Sequence, residues 1–286
     1  TCRIAFIKVI LLLLVIFILF SSVACDFLTI EEFEIVDTGS DEITEIYQEE
    51  HARQIEDQQL IVHFIDVGQG DSTLFQGEGF VMLVDAGRHD MDDVIPYLES
   101  VGIESIDILI GTHPHADHIG QMDKVLNTFS VSEVWMSGGT ATSKTFERVL
   151  DAILESGADY HEPRAGEEYQ VGELQIKVIH PAELTGNLNN DSVSLRIQFG
   201  EIVFILTGDT EADGEQEILD REYDLKAYIL KAGHHGSSTS NTQEFLDAVK
   251  PEVVIYSAGK DNSYGHPHFE VIERFNLHFG AVDIIQ

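Results

Sequence analysis

The chain has 286 residues, 43% of them hydrophobic, which suits one globular domain of roughly two hundred residues plus a tail. Its 16 basic against 51 acidic residues leave a formal net charge of −35, so the surface as a whole repels polyanions, and any such substrate depends on metal ions and a local basic patch. The only two cysteines, Cys2 and Cys25, lie in the first 25 residues, which excludes a disulfide framework and a thiolate metal site from the rest.

In chain order, Arg3 and Lys8 precede an unbroken apolar run from Val9 to Phe20, and small residues then lead into Cys25. That is the layout of a secretory signal, and the run is shorter than the about 20 residues a spanning helix needs. Ala24-Cys25 resembles a bacterial lipoprotein processing site, although Ser22 stands where leucine is usual. The expectation is a domain outside the cytoplasmic membrane, anchored by an N-terminal lipid or by the uncleaved signal, or secreted. With a single apolar run, a stand-alone extracytoplasmic domain is expected rather than a channel. Residues 26–59 are dense in Glu and Asp with Arg53 the only basic residue, and read as a solvated spacer with a short helix over 42–58.

From residue 60 to 286 the pattern alternates short apolar strands and helical stretches. Strands are expected at 60–67, 80–85, 106–112, 131–136, 174–179, 193–199, 202–207, 227–231 and 253–257. Helices are expected at 92–100, 119–128, 143–156, 212–222, 242–249 and 269–278. Two mixed sheets with helices outside them fit this order.

Chemistry collects where these strands end. Thr112-His113-Pro114-His115-Ala116-Asp117-His118 follows an apolar strand and reads H-x-H-x-D-H. Imidazole nitrogen and carboxylate oxygen suit zinc, and also manganese or iron. His113 and His115 can face one ion while Asp117 and His118 face another. Asp209 closes the strand ending at Thr207-Gly208, where one carboxylate can bridge two ions. His234 and His235 close the next strand between glycines. Adjacent histidines do not easily face a single ion, so one reads as a ligand and the other as a group contacting substrate. Gly265-His266-Pro267-His268 adds a further pair. Asp85 reads as a brace for the ligand loop, Asp66 and Asp71 as caps of a glycine-rich turn, and Ser237 and Ser238 as turn residues. Lys231, Lys260 and His266 are candidates for contacting a phosphate.

Together, Phe64-Ile65-Asp66-Val67-Gly68-Gln69-Gly70-Asp71-Ser72, Val84-Asp85-Ala86-Gly87, the H-x-H-x-D-H loop, Asn190-Asp191-Ser192, Leu206-Thr207-Gly208-Asp209 and the stretch from Lys231 to Ser237 resemble the metallo-β-lactamase superfamily. Within it they are similar to the ComEC-type competence-protein hydrolase domain. The resemblance implies an αββα sandwich of two mixed β-sheets flanked by helices, with a dinuclear metal site at one edge. It implies His113, His115, Asp117, His118 and Asp209 as ligands, completed by one of His234 or His235, with His235 the expected ligand. Asp117, His234 and His266 are then the expected catalytic groups. Many superfamily members carry a histidine ligand before the strand starting near Val193. This chain has Asn189-Asn190-Asp191-Ser192 there, so Asp191, or His180, is the expected substitute. The expected cofactors are two divalent ions, zinc or else manganese, which lower the pKa of a shared water toward neutrality. The expected substrate is a phosphodiester such as single-stranded DNA or a cell-wall polymer. A lactone, β-lactam or phosphorylcholine ester, or a binding module on a degenerate site, are the alternatives.

Overall fold

The computed structural model describes residues 33–37, 59–279 and 283–285. The expected signal segment and the helix over 42–58 lie outside them.

Seven strands, neighbours in sequence order, make the first sheet: β1 (Phe33–Asp37), β2 (Leu60–Phe64), β3 (Thr73–Gly77), β4 (Phe80–Val84), β5 (Ser105–Gly111), β6 (Ser130–Met136) and β7 (Asp159–His161). Seven more, again in order, make the second: β8 (Glu168–Val171), β9 (Leu174–His180), β10 (Ser194–Phe199), β11 (Ile202–Leu206), β12 (Ile229–Lys231), β13 (Val253–Ile255) and β14 (Asp283–Ile285). Each sheet contains antiparallel pairs, β2 to β4 and β8 to β11, and finishes with three parallel steps. A parallel step needs a crossover, and a helix supplies each one. Helices α1 (Val94–Ser100), α2 (Met122–Thr128) and α3 (Lys144–Ser156) serve the first sheet, and α4 (Ala212–Asp220), α5 (Gln243–Val249) and α6 (Phe269–Phe279) the second.

Local chemistry sets the helix ends. Ser143 Oγ accepts the Phe146 N–H at the start of α3, and Gly157 closes it with φ 73°, a conformation that costs glycine little. Thr242 caps α5 in the same way through the Phe245 N–H.

Three apolar layers result. Phe75, Trp135, Leu195 and Phe204 pack between the sheets, with Phe75 and Phe204 meeting edge-on at 5.4 Å. Leu98, Val125 and Val149 lie between the first sheet and its helices, and Ile218, Leu246 and Phe275 between the second sheet and its helices. This is the αββα sandwich that the sequence motifs imply.

Some elements differ from expectation. Phe33–Asp37, inside the stretch read as spacer, pairs parallel to β2. Strands β3, β7 and β8 were not expected. The last two are short, and their outward residues are exposed or half-buried, so neither shows the apolar run of a central strand. Among the described residues no helix is long and apolar enough to cross a membrane.

Candidate metal centre

The parallel strands β4, β5, β11 and β12 end at one edge of the sandwich, and their following loops carry Asp85, residues 112–118, Asp209 and His234-His235. Backbone hydrogen bonds stitch these loops together. The His118 carbonyl accepts the Ala86 N–H (2.6 Å), the Ala116 carbonyl the His89 N–H (3.0 Å), the Asp117 carbonyl the Asp71 N–H (3.1 Å), and the Gly87 carbonyl the Gly120 N–H (2.8 Å). The second sheet joins through Val193 N–H to the Thr112 carbonyl (2.8 Å), and two of its own loops meet through His234 N–H to the Gly208 carbonyl (3.0 Å). These backbone bonds hold the ligand loop in shape, which preorganises its side chains.

Asp209 sits at the centre, buried, and divides the site. Its Oδ1 lies 3.2 Å from His118 Nε2 and 3.8 Å from His235 Nε2. Its Oδ2 lies 3.6 Å from both His113 Nε2 and His234 Nε2. His115 Nδ1 adjoins His113 Nε2 at 2.9 Å, and Asp117 Oδ2 is 3.5 Å from His235 Nε2. The donors thus fall into two sets, one on each carboxylate oxygen. His113 and His234 face Oδ2, with His115 against His113, and His118 and His235 face Oδ1, with Asp117 against His235; His113, His118 and Asp209 also bring donor atoms within 4.8 Å of one another.

The outer ring nitrogens fix which atom points inward. His118 Nδ1 donates to Asp85 Oδ2 (2.8 Å), and His235 Nδ1 donates to the Ser257 carbonyl (3.0 Å). The Nε2 atoms therefore face the centre, which is the arrangement of metal-ligating histidines. His118 Nε2, His235 Nε2 and Asp209 Oδ1 are buried without a hydrogen-bond partner. Three orphaned donor atoms converging on one point, in a site with several carboxylates, fit a divalent cation.

The charges agree. Burial pushes His118 down, but the Asp209 and Asp85 carboxylates outweigh it and hold the imidazole well above its ordinary range. His235 is raised against the same burial by Asp209 and Asp71. Burial also opposes ionisation of Asp209 and Asp117, yet the surrounding imidazoles hold both well below the usual carboxylate range. Buried His113 is pushed down, with the charge on His118 adding to the effect. The carboxylates call for positive charge at the position the orphaned atoms face.

His234 and His235 both reach this centre because the backbone bends for them. They carry φ of 51° and 56°, left-handed values that cost a non-glycine residue about 1–3 kcal/mol each. The two rings diverge, one to each oxygen of Asp209. His234 thus faces the same oxygen as His113, where the sequence reading placed a substrate-contacting group.

The residues expected to replace the missing histidine are used elsewhere. Asp191 Oδ1 accepts from Thr185 N–H (2.6 Å) and Thr185 Oγ1 (2.8 Å), and Oδ2 from Gly186 N–H (2.9 Å). Its carboxylate is taken up in shaping this loop. His180 bonds through Nε2 to the Asn190 carbonyl (2.5 Å). Lys231 is buried and its Nζ donates to Asp71 Oδ1 (2.5 Å), so it braces the site rather than reaching for phosphate. Asp71 also forms a converging group with His118 and His235, and its Oδ1, 3.7 Å from His235 Nδ1, is the oxygen Lys231 holds. Asp85 has the bracing role expected of it: Oδ1 accepts Thr112 N–H (2.8 Å), and Oδ2 accepts Thr112 Oγ1 (2.9 Å) beside His118. Asp66 caps Gly68 N–H, and Ser238 N–H donates to His268 Nδ1. Lys260 is exposed.

His266 overhangs the centre, with its ring centroid 5.7 Å from His234 and 6.1 Å from His235. Gln69, which the residue-by-residue reading passed over, sets its tautomer. Gln69 Oε1 accepts the Gly259 N–H (3.0 Å), so Nε2 donates to His266 Nδ1 (3.4 Å), leaving the His266 proton on Nε2. Burial, reinforced by His235, lowers His266 to about 4, so it is a neutral donor at pH 7. Gln69 lies inside the Val67-Gly68-Gln69-Gly70-Asp71 motif, which was the available signal.

A family model described as the metallo-beta-lactamase superfamily matches residues 65–260. ComE operon protein 3 of Bacillus subtilis is 35% identical over 238 residues, covering 76% of this chain and 30% of that protein. Recombination protein 2 of Haemophilus influenzae is 32% identical over 228 residues, covering 78% of this chain and 27% of that protein. The chain thus spans under a third of the length of these relatives. The crystal structure of the metallo-beta-lactamase fold protein YhfI from Bacillus subtilis shares the fold at a TM-score of 0.51 and 14% identity, covering 77% of this chain and 94% of that one.

Proposed function

Since the chain belongs to the metallo-β-lactamase superfamily, a superfamily of generally metal-dependent hydrolases, we propose that it is a dinuclear phosphodiesterase acting on nucleic acid. The observation that carries this reading is the division of donors by Asp209 into two sets, one per carboxylate oxygen. His113, His115, His234 and Asp209 Oδ2 would hold one ion, and Asp117, His118, His235 and Asp209 Oδ1 the other. Zinc, or else manganese, would supply Lewis acidity and lower the pKa of a water to near neutrality when bound. The protein's own contribution is to aim the ligands and to exclude other charge. Asp85 and the Ser257 carbonyl lock the tautomers of His118 and His235, and Lys231 neutralises Asp71 beside them. His266 presents a neutral N–H over the centre, placed to donate to an oxygen that gains charge in the transition state.

The relatives support this substrate class. Recombination protein 2 and a further relative, Competence protein ComA of Neisseria gonorrhoeae, carry names that concern transactions of DNA, and a phosphodiester is a bond that two-ion centres cleave. The same relatives and the N-terminal apolar run favour a place at the cell envelope, anchored through that run or through a lipid on Cys25.

The test is a panel of substrates offered to the metal-loaded chain: bis(p-nitrophenyl) phosphate, p-nitrophenylphosphorylcholine, a β-lactam and a lactone. Turnover of the simple phosphodiester, lost in Asp117→Ala, is the expected result. Turnover of only the lactone, the β-lactam or the choline ester would replace this reading with another hydrolase. Equal turnover in Asp117→Ala would place the chemistry elsewhere.

A further inference from the structure

A cavity of 320 Å³ opens directly beside the proposed ion positions, lined by Gln69, Arg88, His89, Asp117, Asn262 and Tyr264 among others. Asp117 connects it to the metal centre. Its opposite wall is the loop after β13, and two side chains make that loop rigid. Asn262 Oδ1 accepts the N–H groups of Tyr264 and His266 (both 3.1 Å), and its Nδ2 donates to the carbonyls of Gly259 (2.9 Å) and His266 (2.6 Å). Gln69 ties the same loop to the glycine-rich turn after β2.

On this fixed loop Tyr264 is 66% exposed. The ring lies nearly parallel to His266, with centroids 5.6 Å apart and planes at 24°, and His266 lies nearly parallel to His235 at 6.1 Å and 25°. The three rings form a column from solvent to the metal centre. Exposure of the outer ring in a rigid stack leaves a π surface ready for an aromatic ligand at little ordering cost.

The cavity also holds a cation in a chain that has few. Arg88 Nε and Nη2 donate to the two oxygens of Asp90 (2.9 and 2.6 Å), which fixes the plane of the guanidinium while its Nη1 hydrogens remain for another acceptor. The stem of Arg88 and the backbone of Asp117 both close on Gly70, where a Cβ would stand 3.2 Å from Arg88 Cγ and 2.5 Å from the Asp117 carbonyl oxygen. The stem of Arg88 thus packs beside the ligand loop.

We propose that Tyr264 and Arg88 form a nucleoside subsite: a base adjoining the scissile phosphate stacks on the exposed face of Tyr264, and a neighbouring phosphate is held by Arg88. A single strand offers such unstacked faces along its length, so it is the ligand this subsite fits. The inference rests on the phosphodiesterase reading above and adds the side chains that hold the base and its neighbouring phosphate.

The experiment compares thymidine 5′-(p-nitrophenyl phosphate) with methyl p-nitrophenyl phosphate, which share the leaving group and differ in the nucleoside. In the full, metal-loaded chain, Tyr264→Ala lowers kcat/KM for the thymidine ester by roughly 10- to 100-fold, the worth of one base–aromatic stack, and leaves the methyl ester unchanged. Tyr264→Phe retains the preference. In parallel, fluorescence anisotropy measures binding of a labelled oligothymidylate against an abasic oligomer of equal length, and Tyr264→Ala abolishes the preference for bases. Equal loss on both esters, no loss on either, or a loss confined to p-nitrophenylphosphorylcholine overturns the subsite. If no ester is turned over, the phosphodiesterase reading fails, and the anisotropy comparison alone decides whether Tyr264 binds bases.

Discussion

Replacing Asp85 by asparagine tests whether the ligand tautomers are set by the surrounding hydrogen bonds. Asp85 has φ 60°, which asparagine tolerates, so the substitution changes chemistry without adding backbone strain. The two carboxylate oxygens accept three hydrogen bonds, from Thr112 N–H, Thr112 Oγ1 and His118 Nδ1. An asparagine that keeps the Thr112 N–H bond turns its NH2 toward His118 Nδ1. His118 then accepts there and carries its proton on Nε2, the atom 3.2 Å from Asp209 Oδ1. The opposite amide orientation sets NH2 against the Thr112 N–H and leaves a buried donor unsatisfied, at about 1–3 kcal/mol. In either orientation, affinity for the ion on the His118 side falls about 10- to 100-fold, or about 1.4–2.7 kcal/mol. The position served by His113, His115 and His234 keeps its affinity. Competition against a chelator, followed by metal analysis, reads both positions separately. Two ions bound by Asp85→Asn with affinities equal to those of the unaltered chain would refute the reasoning.

Three other perturbations probe the fold around the centre. His63 is buried between Tyr97 Oη (2.9 Å) and Gln76 Oε1 (3.2 Å), and burial lowers it to about 4, only partly opposed by Gln76. The unfolded chain therefore takes a proton below its ordinary 6.5 while the folded chain does not. Its contribution is complete above that pH and falls as pH drops toward 4, by up to about 3 kcal/mol. Urea midpoints at pH 7 and pH 5 should converge in His63→Gln relative to the unaltered chain, and an unchanged difference would contradict this. Lys231→Met strands a buried Asp71 carboxylate and should cost about 3–5 kcal/mol in denaturant unfolding, most of it recovered by adding Asp71→Asn. A loss under 1 kcal/mol would show that the pair is not needed. In Gly120→Ala the new Cβ would stand 2.1 Å from His89 N and 2.2 Å from the Arg88 carbonyl carbon, backbone atoms that do not swing aside. The expected cost is about 3 kcal/mol together with weakened metal binding, and a full-affinity, fully stable variant would contradict the rigid ligand loop.

Much of the molecule is legible in its sequence, for physical reasons. Central parallel strands are buried on both faces and read as apolar runs, and the helices between them carry a clear period, so β5, β11 and α3 could be located closely. The H-x-H-x-D-H loop was legible as a candidate site because four side chains able to bind a metal in six positions have few other uses. Edge strands β7 and β8 were not, because half-exposed short strands resemble loops in composition. The role of Asp191 was misread because a carboxylate that caps a loop and one that binds a metal are the same residue in a sequence. The roles of His234 and His235 depended on two consecutive left-handed residues, and that backbone choice leaves no mark in residue type. Gln69 shows its role only once a loop nearly two hundred residues away lies against it.

Metal content reports on a two-ion centre divided by Asp209. The full chain, purified after loading with zinc or with manganese, should hold two ions. Asp209→Ala should hold neither firmly, because its oxygens serve both positions, and His234→Ala should lose one. Two firmly bound ions in Asp209→Ala, or fewer than two in the unaltered chain under either metal, would contradict the account.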